Sequence, residues 1–197
     1  MTRTTMRLSP IAPAALAALL AAQPAAAEPY AIDRSHANIG FSVDHLGFST
    51  IQGHFQEFDA EIDFDPEAVE ETELRFTIDP ASIYTGWEKR DAHLRSDDFF
   101  AVEQHPEIVF VSKEVRPTGE DTAEIVGDLT IRDITREVVF DAELNKVGPS
   151  PFDPEQTIAG FTATTVLDRT GFGLGYAAPD VAAEVPIRID LEMSPAG

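Results

Sequence analysis

The chain has 197 residues, no cysteine, and 35 acidic against 14 basic side chains, for a net charge of −21. That length suits one domain with a genuine core. The acidic surface excludes nucleic acid and net-anionic membranes as partners, and without disulfides the fold must be held by packing. The first 27 residues read as an export signal rather than as part of the fold. Arg3 and Arg7 make a basic start, Ile11 to Ala22 is an apolar run of mostly Ala and Leu, and Ala25, Ala26 and Ala27 supply the small residues that signal peptidase requires. The run is shorter than the ~20 residues of a membrane span, and Pro10, Pro13 and Pro24 bracket it. Cleavage after Ala27 is expected, leaving residues 28–197 as the mature domain. Cleavage removes two bases and no acid, so twelve bases face 35 acids and the net charge becomes −23. An acidic, lysine-poor surface of this kind suits high salt, where counterions screen self-repulsion.

Period-two alternation dominates the rest of the chain and predicts strands with one buried face. Asn38–His45 sets Ile39, Phe41 and Val43 against Ser42 and Asp44. Over Ile51–Phe64 the apolar parity changes, from Ile51, Gly53 and Phe55 to Phe58, Ala60, Ile62 and Phe64, which predicts a β-bulge near Gln56–Glu57. Glu73–Ile78 points Leu74, Phe76 and Ile78 one way. The pattern then breaks. Glu88–Asp98 is rich in charged helix formers, with Asp91 and Arg95 at i, i+4 in the favourable order, and predicts a short helix leading into Phe99 and Phe100. Strands follow at Ile108–Lys113, Glu124–Arg132, Glu137–Leu144, Thr157–Asp168 and Val181–Glu192, the last with Val181, Ala183, Val185, Ile187, Ile189 and Leu191 on one side. Turn clusters at Asp65-Pro66, Pro117–Asp121 and Gly148–Pro151 separate several of them.

Eight antiparallel strands with one apolar face can close into a barrel, which removes exposed sheet edges. Such a barrel is either filled by side chains or holds one ligand. A β-sandwich has the same alternation and stays open. An outer-membrane barrel does not fit, because its polar lumen would hold a large excess of acids with too few bases to pair them. With 13 phenylalanines and one tryptophan the interior is apolar, and Phe41, Phe76, Phe110 and Phe140 fall on the inward phase.

Chemistry-bearing patterns are weak. His36, His45, His54, His93 and His105 show no helical i, i+4 ligand spacing; His45 and His54 can meet across a hairpin, but two ligands make no metal site. No Gly-x-Ser-x-Gly elbow exists. Gly171, Gly173 and Gly175 precede no helix and read as a turn rather than a phosphate loop.

Several motifs together resemble the YceI-like family of periplasmic isoprenoid-binding proteins. They are Tyr30–Phe41 (YAIDRSHANIGF), His45-Leu46-Gly47 with Gly53-His54-Phe55, and above all Glu88–Phe100 (EKRDAHLRSDDFF). His105–Phe110, Gly127–Ile131, Asp168–Leu174 and the last strand also fit. Departures are Asp133 where the family usually has Gly, Thr170-Gly171 for the commoner Ser-Asp, and Trp87 just ahead of the helix, where it can narrow the mouth. The resemblance implies an all-β, eight-stranded antiparallel, lipocalin-like barrel with a short inserted helix over 28–197. It also implies a long isoprenoid or quinone-like lipid inside, no cofactor, no metal, no catalytic residue, a periplasmic location and no stable membrane insertion. A homodimer is left open.

The residues expected against the lipid are Phe41, Val43, Phe76, Ile78, Phe99, Phe100, Phe110, Leu129, Phe140 and Phe172. His36, His45, Arg90 and Arg95 are the head-group candidates, with the alternative that Arg90, Asp91 and Arg95 simply pin the helix to the barrel. Two other readings stand beside lipid carriage. One is an enzyme using His36 or His45 with a nearby carboxylate, and the other is a packed barrel without a ligand.

Overall fold

The computed structural model describes residues 28–196; the signal peptide expected over 1–27 lies outside the described residues. The strand segments are β1 (Glu28–Ile32), β2 (Asn38–His45), β3 (Ser49–Phe55), β4 (Phe58–Phe64), β5 (Glu73–Ile78), β6 (Ile83–Tyr84), β7 (Ile108–Pro117), β8 (Thr122–Ile131), β9 (Ile134–Pro149), β10 (Thr157–Asp168) and β11 (Glu184–Pro195). One helix, α1 (Glu88–Arg95), lies between β6 and β7.

Three pairs of segments are single staves with a break in the middle. β11 pairs with both β2 and β1, β4 continues β3, and β6 continues β5. Counted as staves there are eight, each antiparallel to the next in sequence, and the last closes on the first through β1 and β11. The result is an up-and-down barrel with no free edge over most of its height. The choice between barrel and sandwich is thereby made.

The breaks have a local cause. Asp33 and Asp79 each leave the ladder as an N-cap, accepting from Ser35 N at 2.9 Å and Ala81 N at 2.8 Å, and start the 3-10 turns Arg34–His36 and Pro80–Ser82. Gln56 and Glu57 bulge out between them, their amides donating to Ser82 Oγ at 3.2 and 3.0 Å. The single bulge expected near Gln56–Glu57 is thus one part of a crease across three neighbouring staves. It changes side-chain parity as the sequence requires: Phe55 and Phe58 both point inward and are buried.

Strands Asn38–His45, Glu73–Ile78 and Thr157–Asp168 keep their expected bounds. β7, β8 and β9 extend beyond the apolar runs because hairpin ladders continue into polar sequence. The last strand is shorter at its start: Val181 makes only an isolated bridge with His45, and β11 begins at Glu184. The carbonyls of Val181 and Ala182 are taken instead by the Arg169 guanidinium. The helix ends at Arg95, three residues before the expected Asp98, with Ser96 as C-cap and its hydroxyl donating to His93 O at 2.7 Å. Gly171 and Gly173 belong to the turn expected there; Gly173 caps the 3-10 turn Arg169–Phe172 at φ 77°.

Candidate functional site

Inward side chains of the eight staves enclose a cavity of about 610 Å³, within the ~300–1,000 Å³ range of sites that hold small molecules. The packed barrel without a void is excluded. All ten residues expected against a lipid line this cavity: Phe41 and Val43 from β2, Phe76 and Ile78 from β5, Phe99 and Phe100 after α1, Phe110 from β7, Leu129 from β8, Phe140 from β9 and Phe172 from the turn after β10. Edge-to-face pairs fix several of these rings, Phe110 on Phe140 at 5.2 Å between centroids and Phe55 on Phe100 at 5.9 Å.

Two glycines keep the lumen open. A Cβ at Gly53 would sit 2.3 Å from the Phe41 ring, and one at Gly127 would sit 2.4 Å from the Phe110 ring. Each ring therefore lies flat on a bare stretch of wall instead of projecting into the cavity. Both glycines fall on the inward phase of their strands, but their partners could not be read from alternation, because the ring that covers each comes from a neighbouring stave.

The arm after β6 borders one end of the cavity. Asp91 is 1 % exposed and accepts at Oδ1 from Thr85 N at 3.0 Å and from Thr85 Oγ1. Arg90 donates from Nε to Thr85 Oγ1 and from Nη2 to Thr85 O, both at 2.7 Å. Arg95 donates to Ala81 O at 2.8 Å and Ile83 O at 3.2 Å, and meets Glu88 at 3.3 Å. The expected Asp91–Arg95 pair does not form, because each group turns to the backbone beneath the helix.

Of the four head-group candidates, His45 and Arg90 line the cavity and His36 and Arg95 do not. His36 sits on the outer surface, its Nδ1 2.8 Å from Asp33 and 3.9 Å from Glu192. Asp33, His36 and Glu192 are the kind of groups that ligate metals, but both oxygens of Asp33 already accept from Ser35 and His36. His45 and His54 do not meet. They pair with Ser49 and Gly40, and His54 faces outward onto Tyr84 at 5.4 Å between centroids.

The arrangement also brings in groups that the sequence did not single out. Arg169 is buried and lines the cavity; its guanidinium donates to the carbonyls of Ala182, Leu174, Tyr176 and Val181. Burial pulls its pKa down, with Asp168 opposing. It holds the loop 174–182 against the rim. His93 packs edge-on to Tyr176 at 4.8 Å and to Phe99 at 5.1 Å between centroids, tying that loop to the arm. The signal for Arg169 was its place in the Asp168–Leu174 motif, but nothing in the sequence told which carbonyls it would reach.

The YceI-like domain matches residues 30–193. The chain belongs to the YceI-like family. A UPF0312 protein of Pseudomonas putida (strain W619) is 38% identical over 176 residues, 88% of this chain and 91% of that protein. The YceI protein of Campylobacter jejuni superposes with a TM-score of 0.71 at 28% identity, over 78% of this chain and 90% of that one. A polyisoprenoid-binding domain from Saccharophagus degradans, implicated in plant cell wall breakdown, shares the fold at a TM-score of 0.62 and 12% identity, over 86% of this chain and 99% of that one. In this YceI-like barrel the ionisable groups lining the cavity are segregated. Glu67, Glu70, Glu120 and Asp121 stand at the end of the β4–β5 and β7–β8 connections, and His45, Arg90, His93 and Arg169 stand at the helix end.

Proposed function

We propose that this YceI-like protein binds one long, apolar, isoprenoid-type lipid along the barrel axis and carries or stores it in the periplasm, without a cofactor and without catalysing a reaction. The observation that carries this reading is the cavity itself, apolar through its length and lined by rings from six of the eight staves. Each CH₂-sized group moved from water into such walls contributes ~0.8 kcal/mol, less the cost of ordering the chain, so a long tail binds tightly with little help from its head. The Saccharophagus degradans domain, described as polyisoprenoid-binding, supports the same class of ligand. The enzyme reading finds no support in the lining. His36 lies off the cavity, and the carboxylates that line it stand at the opposite end from His45.

The test is native mass spectrometry of the protein purified from its own periplasm, which should show a co-purified lipid at one per chain. Ala163 and Ala142 face each other across β10 and β9 and both line the cavity. Ala163→Phe should plug the lumen without loss of fold and abolish lipid retention. Phe110→Asp should do the same by placing an unpaired carboxylate among apolar walls. A folded Ala163→Phe variant that keeps wild-type lipid stoichiometry would place the ligand outside the barrel.

A further inference from the structure

The two mouths of the cavity differ in more than charge. Around the helix end stand large apolar side chains that the fold leaves in water: Phe48 is 89 % exposed, Trp87 57 %, Tyr176 50 % and Leu46 48 %. They sit beside the opening. Leu46 and Phe48 form the β2–β3 turn, next to His45, which lines the cavity. Tyr176 itself lines the cavity, and Trp87 leads into α1 with the Arg90 guanidinium 5.7 Å from its ring. Leu46 occupies the left-handed region at φ 60°, and Gly47 follows at 73°. A turn of that shape normally takes Asn, Asp or Gly at both positions, so the leucine is held there at a conformational cost.

We infer that the helix-end mouth docks on the surface of a zwitterionic phospholipid bilayer, and that lipid enters the barrel from there. The inference rests on the lipid reading of the cavity. Tryptophan and tyrosine favour the headgroup level of a bilayer, where an apolar ring meets a polar layer. Of the carboxylates that line the cavity, all four, Glu67, Glu70, Glu120 and Asp121, stand at the other mouth, where they repel the phosphates of that layer, and none stands at this one. The molecule as a whole is strongly acidic. A net-anionic bilayer therefore repels it, and a zwitterionic one does not. Docking inserts a few side chains and no strand, so it is shallow and reversible.

The experiment uses the mature protein with phosphatidylcholine–phosphatidylethanolamine vesicles carrying solanesol, an uncharged isoprenoid alcohol. Sedimentation reads vesicle association, and solanesol transfer from vesicles is compared with uptake from detergent micelles, which bypasses docking. Phe48→Ser combined with Trp87→Ser should lose roughly ten-fold in both association and transfer, with uptake from micelles unchanged. Phe152→Ser is the control: Phe152 is 96 % exposed in the β9–β10 connection, at the acidic end, and its loss should change nothing. Transfer at the wild-type rate by the double variant, or equal impairment by Phe152→Ser, overturns the inference. So does wild-type protein that loads from micelles but never associates with vesicles, a result that points to docking on another protein. No uptake from either source sinks the cavity reading, and this inference with it.

Discussion

At Asp33 the backbone leaves β1, and the carboxylate does two things at once: it caps the turn through Ser35 and it holds the His36 ring. The hydrogen bonds from the Ser35 hydroxyl, then those from His36 and the Ser35 amide, lower the Asp33 pKa from 3.8 to about 2. The same bond to Asp33, followed by the charges of Asp33 and Glu192, raises His36 above 6.5. The signs set a pH window. Asp33 contributes stability above pH 3.8 that is lost as pH falls through about 2, and His36 contributes below pH 6.5 and loses it as pH rises through its raised value. Both groups are exposed, so solvent screening keeps the effect on stability small. The shift itself is measurable. In an NMR titration the His36 ring should show a midpoint above 6.5, returning toward that value in Asp33→Asn. A His36 midpoint unmoved by Asp33→Asn would remove the pair from the account. The share of Glu192 was not visible in the histidine spacing, because that residue comes from the far end of the chain.

The arm from Thr85 to Phe100 is the element on which the charged motif acts. Its basic residues invite a head-group reading, since three of the twelve bases of the expected mature chain fall within seven residues, Lys89 to Arg95. In the fold Arg90 and Arg95 reach carbonyls of Thr85, Ala81 and Ile83, and Asp91 is buried under the same turn. The helix is too short and too polar to be stable alone, so these bonds hold it in place. Asp91→Ala should leave the Thr85 amide without its acceptor and cost about 1–3 kcal/mol, with Asp91→Asn costing less. Urea unfolding checks both, and hydrogen exchange should show faster opening at Thr85 and α1 than in the barrel staves. Equal exchange in the arm and the staves of Asp91→Ala would mean that other contacts hold the arm.

For the whole molecule the dominant fact is charge. If the signal is removed, −23 remains on one compact barrel, and its self-repulsion acts through solvent over distances that salt shortens to ~3 Å at molar concentration. The thermal midpoint should therefore rise from low to molar sodium chloride. A flat or falling midpoint would show that the acids are not crowded enough to repel. Closure of the sheet is what lets the fold bear this charge without disulfides. Nearly every strand is paired on both sides, and the acids face outward, apart from those at one mouth and the buried Asp65 and Asp91.

The sequence by itself determined the stave number, the inward face of each strand, the turn at Gly171–Gly173 and the seven strand-borne apolar residues of the cavity wall, with Phe99, Phe100 and Phe172 marked only by their motifs. Alternation fixes which side of a strand is buried, and burial on one side of eight strands leaves little else for those residues to touch. It could not determine that the strands close around a void instead of stacking as two sheets, since both satisfy the same period. Nor could it separate His45 and Arg90, at the cavity, from His36 and Arg95, off it. That separation depends on where the crease bends the first three staves and on which carbonyls the arm meets when it folds back. These are contacts between residues distant in sequence, and only the tertiary structure decides them.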